Sequence, residues 1–205
     1  MAGTIKGAPR AARAIAATPI PVVGGIFVTT MAEAEKIVGP ITRPEEVPDG
    51  VTLDCLGYLG EAGPKRTIDQ STNLIKAWGG DVLLTTREGA EAKVELPAAE
   101  YLNPSAQRLL YGSDNVTWDN TKKILTINGD LSIVPPHVAV VVLVDTDSAR
   151  GTLVYPDAQA SISGDLEMDG KAVVTLPLTL NLRPVAGKTY REYWKVKDGV
   201  EVGLS

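Results

Sequence analysis

The chain has 205 residues and a formal net charge of −5, with 20 Lys and Arg against 25 Asp and Glu. This acidic balance argues against a protein that grips nucleic acid, because that task needs clustered Lys and Arg to replace phosphate counterions. The single cysteine, Cys55, excludes an internal disulfide, and the single histidine, His137, leaves no Cys/His zinc cluster. The length fits one large all-β domain held together by core packing.

The N-terminal segment is rich in Ala, Gly and Pro. Pro19 and Pro21 interrupt its short apolar run, which argues against a targeting segment, and no apolar stretch is long enough to span a bilayer. We expect residues 1–25 to form an arm that orders against a neighbouring copy in an assembly. Residues 26–205 are expected to form a single domain.

Strand patterns dominate the rest of the chain. The predicted strands contain β-branched or aromatic residues or a period-two alternation, and Gly-containing turns close the central ones. The predicted strands are Ile26–Thr30, Val51–Leu59, Lys65–Asn73, Asp81–Arg87, Glu91–Leu96, Val116–Asp119, Lys123–Asn128, His137–Val144, Thr152–Tyr155, Ser161–Met168, Ala172–Leu182 and Thr189–Val196. Turns are predicted at Gly79-Gly80, at Gly89-Ala90, and at a polar segment that includes Gly151.

Two of these strands carry further information. His137–Val144 is almost continuously apolar, which predicts a strand covered on both faces, with His137 in a structural or strand-edge role. Ala172–Leu182 alternates cleanly, but Pro177 cannot donate a ladder hydrogen bond. Pro177 therefore predicts that this strand lies at an edge of the sheet or contains a bulge.

One helix signal is sharp. Asn103 stands at the N-cap position, Pro104 at the first helical position and Gly112 just past the end. Between them, Ala106, Leu109 and Leu110 form the apolar stripe that would be buried.

The segments outside the predicted strands and this helix are short, and together with them they indicate the fold class. Met31–Ile37 favours one or two helical turns, and the prolines of Gly39–Gly50 predict a loop. Residues 197–205 are expected to be a surface tail. Many strands with one short α-helix predict a mainly β fold, a β-sandwich or partly open barrel with the helix on its flank.

Alternation in the central strands predicts which side chains face water. Ala92, Val94 and Leu96 fall on one side of their strand, and polar residues fall on the other. The polar side chains of the two central strands are Thr67, Asp69, Ser71, Glu91, Lys93 and Glu95. Trp78, beside the Gly79-Gly80 turn, is either a core residue or an exposed contact for a partner chain.

Several phrases of the sequence resemble one family in their order and spacing. They are LGYLGEAGPKRTIDQST (56–72), IKAWGGD (75–81), LNPSAQRLLYG (102–112), VTLPLTLNLRP (174–184) and GKTYREYWKV (187–196). They are similar to the major tail protein of long-tailed bacteriophages with non-contractile tails, the subunit of the tail tube. The Ala/Pro-rich arm is not matched with that family.

The resemblance implies a structural role in the virion tail, after assembly in the host cytoplasm. In that family, hexameric rings join their sheets into one inner β-barrel, and stacked rings form the conduit for DNA. It implies that the six polar residues above line the lumen. The residues it implies for ring stacking are Leu59, Glu61, Pro64, Lys65, Glu45 and Glu46. The implied partners are other copies, the tape measure protein, other tail proteins and DNA in transient, non-specific passage, with no membrane.

Three alternatives stay open. Another tail ring protein, a terminator or connector, would share the resemblance. A carbohydrate-binding β-sandwich would be expected to expose a row of aromatic side chains. An enzyme is disfavoured, because the acids are dispersed and the lone His137 lies in an apolar run, so we expect no catalytic, cofactor-binding or metal-binding residues.

Overall fold

The computed structural model describes residues 4–6, 25–60, 63–130, 132–145, 149–166, 168 and 173–196. Within these ranges the chain forms eleven strands, two α-helices and two short 3-10 turns, so the predicted mainly β class is confirmed. The strands are β1 (Thr4–Lys6), β2 (Ile26–Thr29), β3 (Thr52–Cys55), β4 (Lys65–Lys76), β5 (Val82–Ala98), β6 (Val116–Asp119), β7 (Ile124–Ile127), β8 (His137–Asp145), β9 (Ala149–Ile162), β10 (Leu176–Leu182) and β11 (Arg191–Val196). The helices are α1 (Met31–Ala34) and α2 (Pro104–Tyr111), and the 3-10 turns are Pro44–Glu46 and Ser113–Asn115.

Nine of these strands form one sheet in the order β1-β3-β2-β8-β9-β10-β5-β4, with β11 also paired to β9. The β1–β3 pair is parallel, and the other pairs are antiparallel. Strands β6 and β7 form a separate hairpin, as predicted.

The sheet closes on itself through the segment that follows β3. Leu59 forms an antiparallel bridge with Ala98 at the end of β5. Beside this bridge, the Ala99 amide donates to the Tyr58 carbonyl over 2.8 Å. The strands β3, β2, β8, β9, β10 and β5 are neighbours in that order, and β5 contacts the segment that directly follows β3. The result is a barrel-like wall, which is one of the two architectures that the strand count predicted.

Two hydrophobic clusters lie on the two faces of this wall. The first gathers side chains from β2, β8, β9, β10 and β5 with the apolar stripe of α2. The second gathers the other face of β2 and β8 with α1 and the segment between α1 and β3. Val140 and Val142 belong to the first cluster, whereas Ala139 and Val141 belong to the second. Burial of β8 on both faces is thus confirmed.

Helix α2 begins and ends where the sequence predicted. The Asn103 side chain accepts a hydrogen bond from the Ser105 amide over 2.9 Å, and Pro104 occupies the first turn. Gly112, at φ 77°, ends the helix. The Asn103 amide group also donates to the Cys55 carbonyl over 3.1 Å, which ties the helix to the end of β3.

The predicted turn at Gly89-Ala90 is wrong. Strand β5 continues through it as one strand from Val82 to Ala98 and pairs with β4 from Val82 to Glu95. The register shifts there, since Ser71 pairs with Gly89 and the next residue, Thr72, pairs with Arg87. Glycine is well suited to such a bulge, so its presence did not mark a chain reversal. The turn at Gly79-Gly80 does reverse the chain between β4 and β5.

Strand β9 was predicted as two strands, Thr152–Tyr155 and Ser161–Met168, after a polar turn that includes Asp145, Asp147 and Gly151. The division into two strands and the place of Gly151 in the turn are wrong. Strand β9 is one strand from Ala149 to Ile162, and Gly151 pairs with Val144 inside it. A bulge lies midway, where Pro156 and Asp157 stand opposite the single residue Ala139. A proline in a bulge does not need to donate to the ladder, so Pro156 does not break the strand.

Pro177 does not mark an edge strand, contrary to one of the two predictions made from it. Strand β10 lies between β5 and β9. Pro177 stands opposite another proline, Pro97 of β5, and pairing of β10 with β9 begins one residue later at Leu178. Two residues without N–H groups therefore face each other at the end of the ladder.

The other predicted bounds shift by several residues. Strand β3 stops at Cys55, since the chain then crosses from β2 to β5. Helix α1 ends at Ala34, and β11 begins at Arg191. The tail 197–205 and most of the arm 1–25 lie outside the described residues. Thr4–Lys6 of that arm pairs with β3 of its own chain.

Candidate functional site

Strands β4 and β5 project beyond the barrel wall as a long hairpin. Leu182, the last residue of β10, pairs with Ala92 of β5. From there toward Val82, the only strand paired with β5 in the described part of the chain is β4. At about 3.3 Å per residue, this part of the hairpin extends roughly 30 Å past the last residue of β10.

The six predicted lumen residues share one face of this hairpin. Thr67 is paired with Lys93, and Asp69 with Glu91. Ser71 and Glu95 occupy the same alternating positions of their strands, so they lie on the same side. The antiparallel register thus brings together residues that the sequence places in two separate strands.

The polar face continues across the neighbouring strands. Lys93 is paired with Asn181 of β10, which is paired with Gln159 of β9, which is paired with His137 of β8. A second row runs through Glu95, Thr179 and Ser161. The opposite face of the same strands carries the first hydrophobic cluster. The alternation of Ala172–Leu182 indicated the β10 part of this face, but the neighbours of β10 are distant in sequence.

Charges on the hairpin part of the face are mixed. Lys65 Nζ lies 3.4 Å from Glu95 Oε2, forming an ion pair. Asp69 stands directly opposite Glu91, a pair of like charges. Like charges in this position are destabilising by about 0.2–1 kcal/mol. With Lys65 and Lys93 against Asp69, Glu91 and Glu95, the hairpin face has two positive and three negative side chains.

His137 has a structural position at one end of the polar face. Its Nδ1 lies 2.6 Å from Asp157 Oδ1, at the β9 bulge. Nearby, the Gln159 side chain donates to the Pro135 carbonyl over 2.8 Å. These contacts hold the start of β8 against the bulge, in agreement with the structural role predicted for His137.

Arg66 joins the base of the hairpin to β11. Its guanidinium forms an ion pair with Glu192 and lies over the Tyr190 ring, 4.2 Å from the ring centre. Trp194 Nε1 donates to the other Glu192 oxygen over 3.0 Å. Partial burial acts to raise the pKa of Glu192, but the hydrogen bonds from Arg66 and Trp194 outweigh it, so the pKa lies below its ordinary value. The carboxylate therefore stays ionised as the anchor of β4.

The end of the hairpin is apolar and exposed. We call residues 74–84 the hairpin tip. Trp78 is fully exposed, which answers the open question about this side chain, and Leu83 is 68% exposed. Leu74, Ile75, Val82 and Leu84 are also exposed. The other two tryptophans lie on β6 and β11, so the three do not form the row that a sugar-binding surface would need.

Two strands next to these surfaces have an open edge. In the described residues, β4 pairs only with β5, and β11 pairs only with β9. One edge of each strand therefore presents backbone N–H and C=O groups without a ladder partner.

The residues predicted for ring stacking lie in separate places. Leu59 is half-buried in the segment that closes the barrel, whereas Pro64 and Lys65 are exposed at the base of the hairpin. Glu45 and Glu46 lie in the first 3-10 turn, where the Glu46 carboxylate accepts from the Thr42 amide over 2.5 Å. Glu61 lies outside the described residues.

A surface groove lies between the end of α2, residues 130 and 132–135, and strands β9 and β10. Its volume is about 440 Å³, and its lining is mostly apolar. Val134 on its rim is 73% exposed. We call this feature the α2 groove.

Comparison with known proteins adds no assignment. No protein-family model matches the chain, and no curated protein matches it. Among the residues with described positions, no group of three or more His, Cys, Asp and Glu is placed to hold a metal ion. No helix in that same part of the chain is long and apolar enough to cross a bilayer. The functional assignment therefore rests on the polar sheet face, the hairpin and the open edges.

Proposed function

We propose that this chain is a structural subunit that polymerises into stacked hexameric rings and forms the tail tube of a long-tailed bacteriophage with a non-contractile tail. One observation carries the proposal. A continuous polar face covers β4, β5, β10 and β9 on the side opposite the hydrophobic cluster, and it reaches the open edge of β4. A sheet of this kind is complete when a neighbouring copy extends it.

The open edge supplies the means of assembly. An exposed sheet edge is either protected or used to pair with another chain. Pairing between unlike edges of identical copies is a head-to-tail contact, and such contacts close into rings when the rotation allows it. The polar face of each copy then becomes one sector of the inner wall.

The chemistry of that wall suits the passage of DNA. Hydroxyl, amide and carboxylate groups predominate, and only Lys65 and Lys93 are cationic on the hairpin face. A polyanion is held by clustered cations that replace its counterions. A lumen with an excess of carboxylates does not hold the phosphates, so the DNA slides.

The proposal includes no catalysis and no cofactor. Its partners are other copies, the tape measure protein and further tail proteins, and its location is the virion tail. A terminator or connector ring, the nearest rival, would form single rings that do not extend into tubes.

Electron microscopy of the purified protein at increasing concentration tests the proposal. Rings with a central opening and stacks of such rings are expected. Two proline variants, Asp69→Pro and Gln70→Pro, test the β4 edge, because N–H groups of adjacent strand residues point to opposite edges. One variant loses an N–H that pairs with β5, and the other loses an N–H at the open edge.

The variant that loses the N–H at the open edge should keep the hairpin and unfold cooperatively. It should nevertheless fail to form rings, because the joining edge has lost a donor. Monomers at every concentration of the unmodified protein would contradict the proposal. Rings that form equally well with both proline variants would show that β4 is not the joining edge.

A further inference from the structure

No described residue of the chain covers the hairpin tip. Six large apolar side chains are exposed over a short segment of a two-stranded ribbon: Leu74, Ile75, Trp78, Val82, Leu83 and Leu84. Two strands alone are marginally stable in water, and clustered exposed apolar side chains mark interaction sites. We therefore expect another molecule to bind the tip and cover these side chains.

The α2 groove is a matching, mostly apolar surface on the same chain. It borders the polar face, since Gln159, Ser161 and Asn181 also line it. Ile133, Val134 and Pro135 form one side, and Ile162 of β9 and Leu110 of α2 line the other parts. Trp is the side chain most enriched at the centre of protein interfaces, where it fills a pocket of this kind. The groove has room for a large aromatic ring.

The geometry prevents the tip from filling the groove of its own chain. Strand β5 starts at the tip and runs toward Ala98, which pairs with Leu176. Ile162 of the groove pairs with Leu178, close to that same end of β10. The tip projects from the opposite end, roughly 30 Å beyond β10 at about 3.3 Å per residue. The tip can therefore reach an α2 groove only on a second copy.

Charge favours a protein surface over a lipid bilayer as that cover. Lys76 and Asp81 flank the turn at the tip, and charged groups are costly inside a bilayer. The groove rim offers a partner for Lys76, because Asp130 lies on it. Ser132 donates to Asp130 Oδ1 through its hydroxyl over 2.6 Å and its amide over 2.9 Å. Both bonds hold the pKa of Asp130 below its ordinary value, so it remains an anion.

We propose that the hairpin tip of one copy inserts into the α2 groove of a second copy, with Trp78 as the anchor and Lys76 next to Asp130. The contact joins unlike surfaces, and such a contact stacks one copy on the next when its rotation does not close into a ring. This inference rests on the proposed function, since it assigns the contact between successive rings, while the β4 edge forms each ring.

Disulfide trapping tests the contact directly. Trp78→Cys protein is mixed with Val134→Cys protein under mild oxidation, and a disulfide-linked dimer of the two is expected. The native Cys55 is buried and does not compete. The matched control is Val38→Cys, which replaces another valine with an exposed fraction of 76% and lies outside both surfaces. Its mixture with Trp78→Cys should give no more dimer than either protein alone.

Charge reversal provides the second measurement. Lys76→Asp in the Trp78→Cys protein should lower the yield of trapped dimer several-fold, and Asp130→Lys in the Val134→Cys protein should restore it. Absence of the mixed dimer would overturn the inference. Equal trapping of Trp78→Cys with itself would overturn it too, because that result indicates a symmetric contact between tips. Flotation of the protein with lipid vesicles, lost in Trp78→Ser, would assign the tip to a membrane instead.

The two levels of the proposal fail in different ways. Rings without trapped mixed dimers would contradict the tip contact and leave the ring proposal standing. Mixed dimers without any ring would support the tip contact and contradict the tube.

Discussion

The like-charge pair on the polar face allows one stability prediction with an internal control. Asp69 stands opposite Glu91, and four residues further along β5, Glu95 stands opposite Lys65. Glu91→Lys converts the repulsive pair into an attractive one. Glu95→Lys converts the Lys65–Glu95 ion pair, with its 3.4 Å separation, into a repulsive one. The two substitutions are chemically identical and lie on the same strand and face, yet they should change stability in opposite directions.

The magnitude follows from cross-strand pair energies. Each opposite-charge or like-charge pair is worth about 0.2–1 kcal/mol. Both sites are partly exposed to solvent, so values near the lower end apply. Reversing a pair changes two such contributions, which gives about 0.5–1 kcal/mol of stabilisation for Glu91→Lys and a similar loss for Glu95→Lys. The two variants should therefore differ by about 1–2 kcal/mol, or about 2–8 °C in Tm for a chain of this size.

Urea denaturation of the unassembled protein at low salt measures this difference, since urea does not screen charges. Addition of about 1 M NaCl shortens the Debye length to about 3 Å and should remove most of it. A change of the same sign in both variants would refute the pairing of charges on this face. So would a difference that persists unchanged at high salt.

Three other changes address the rest of the fold. Asn103→Ala removes the cap of α2 and its bond to the Cys55 carbonyl, so it should lower the free energy of unfolding by about 1–2 kcal/mol in urea, whereas Asn103→Ser should recover part of the loss. Gly57 has φ 84°, and a Cβ there would collide with the Glu100 carboxylate, which accepts from the Tyr58 amide over 3.3 Å. In Gly57→Ala the Glu100 carboxylate must turn aside and give up its bond from the Tyr58 amide, which should cost about 1 kcal/mol more than Gly80→Ala, where φ is also positive but the added Cβ meets open space. Equal losses would mean that the Glu100 contact is unimportant. Burial raises the pKa of the Cys55 thiol and that of the Tyr155 hydroxyl above their ordinary values. Folding therefore favours both neutral forms, and the free energy of unfolding should fall as the pH rises through the alkaline range in which these groups ionise. In Cys55→Ser, the free energy of unfolding measured from about pH 8 to pH 10.5 should fall less steeply, and an identical slope would exclude the thiol as a cause.

Local signals were sufficient for some of these elements. Asn103, Pro104 and Gly112 fixed the ends of α2, because capping depends on residues within one turn. Alternation fixed the side of each hairpin strand that faces water, so six residues named from sequence share one face in the structure. The continuous apolar run of β8 predicted its burial on both sides.

Other features depend on partners that are distant along the chain. Glycine at position 89 is compatible with a turn or a bulge, and only the pairing of Ser71 with Gly89 decides between them. Pro177 is tolerated inside the sheet because Pro97 stands opposite. The bridge from Leu59 to Ala98 closes the wall, but neither residue carries a local signal for it.

The candidate surfaces also differ in whether a local sequence signal predicts them. The polar face was visible in the sequence as an alternation, but its extension across β9 and β10 required the register. The α2 groove was missed, since it is formed by four segments that no motif connects. The exposed tip had a partial signal, a tryptophan beside two glycines, which left its environment undecided.

The pairing of β2 has a consequence for synthesis on the ribosome. Ile26 pairs with Val142, a separation of 142 − 26 = 116 residues, whereas the ends of the β4–β5 hairpin are joined by Lys65 and Glu95, only 95 − 65 = 30 residues apart. Local contacts form early, and distant ones form slowly. The hairpin and its exposed apolar tip should therefore be complete while β8, the strand that pairs with β2, is still being translated. Nascent chains on neighbouring ribosomes would meet through the hairpin tip first, so productive folding should benefit from a holding chaperone or from rapid completion of the chain.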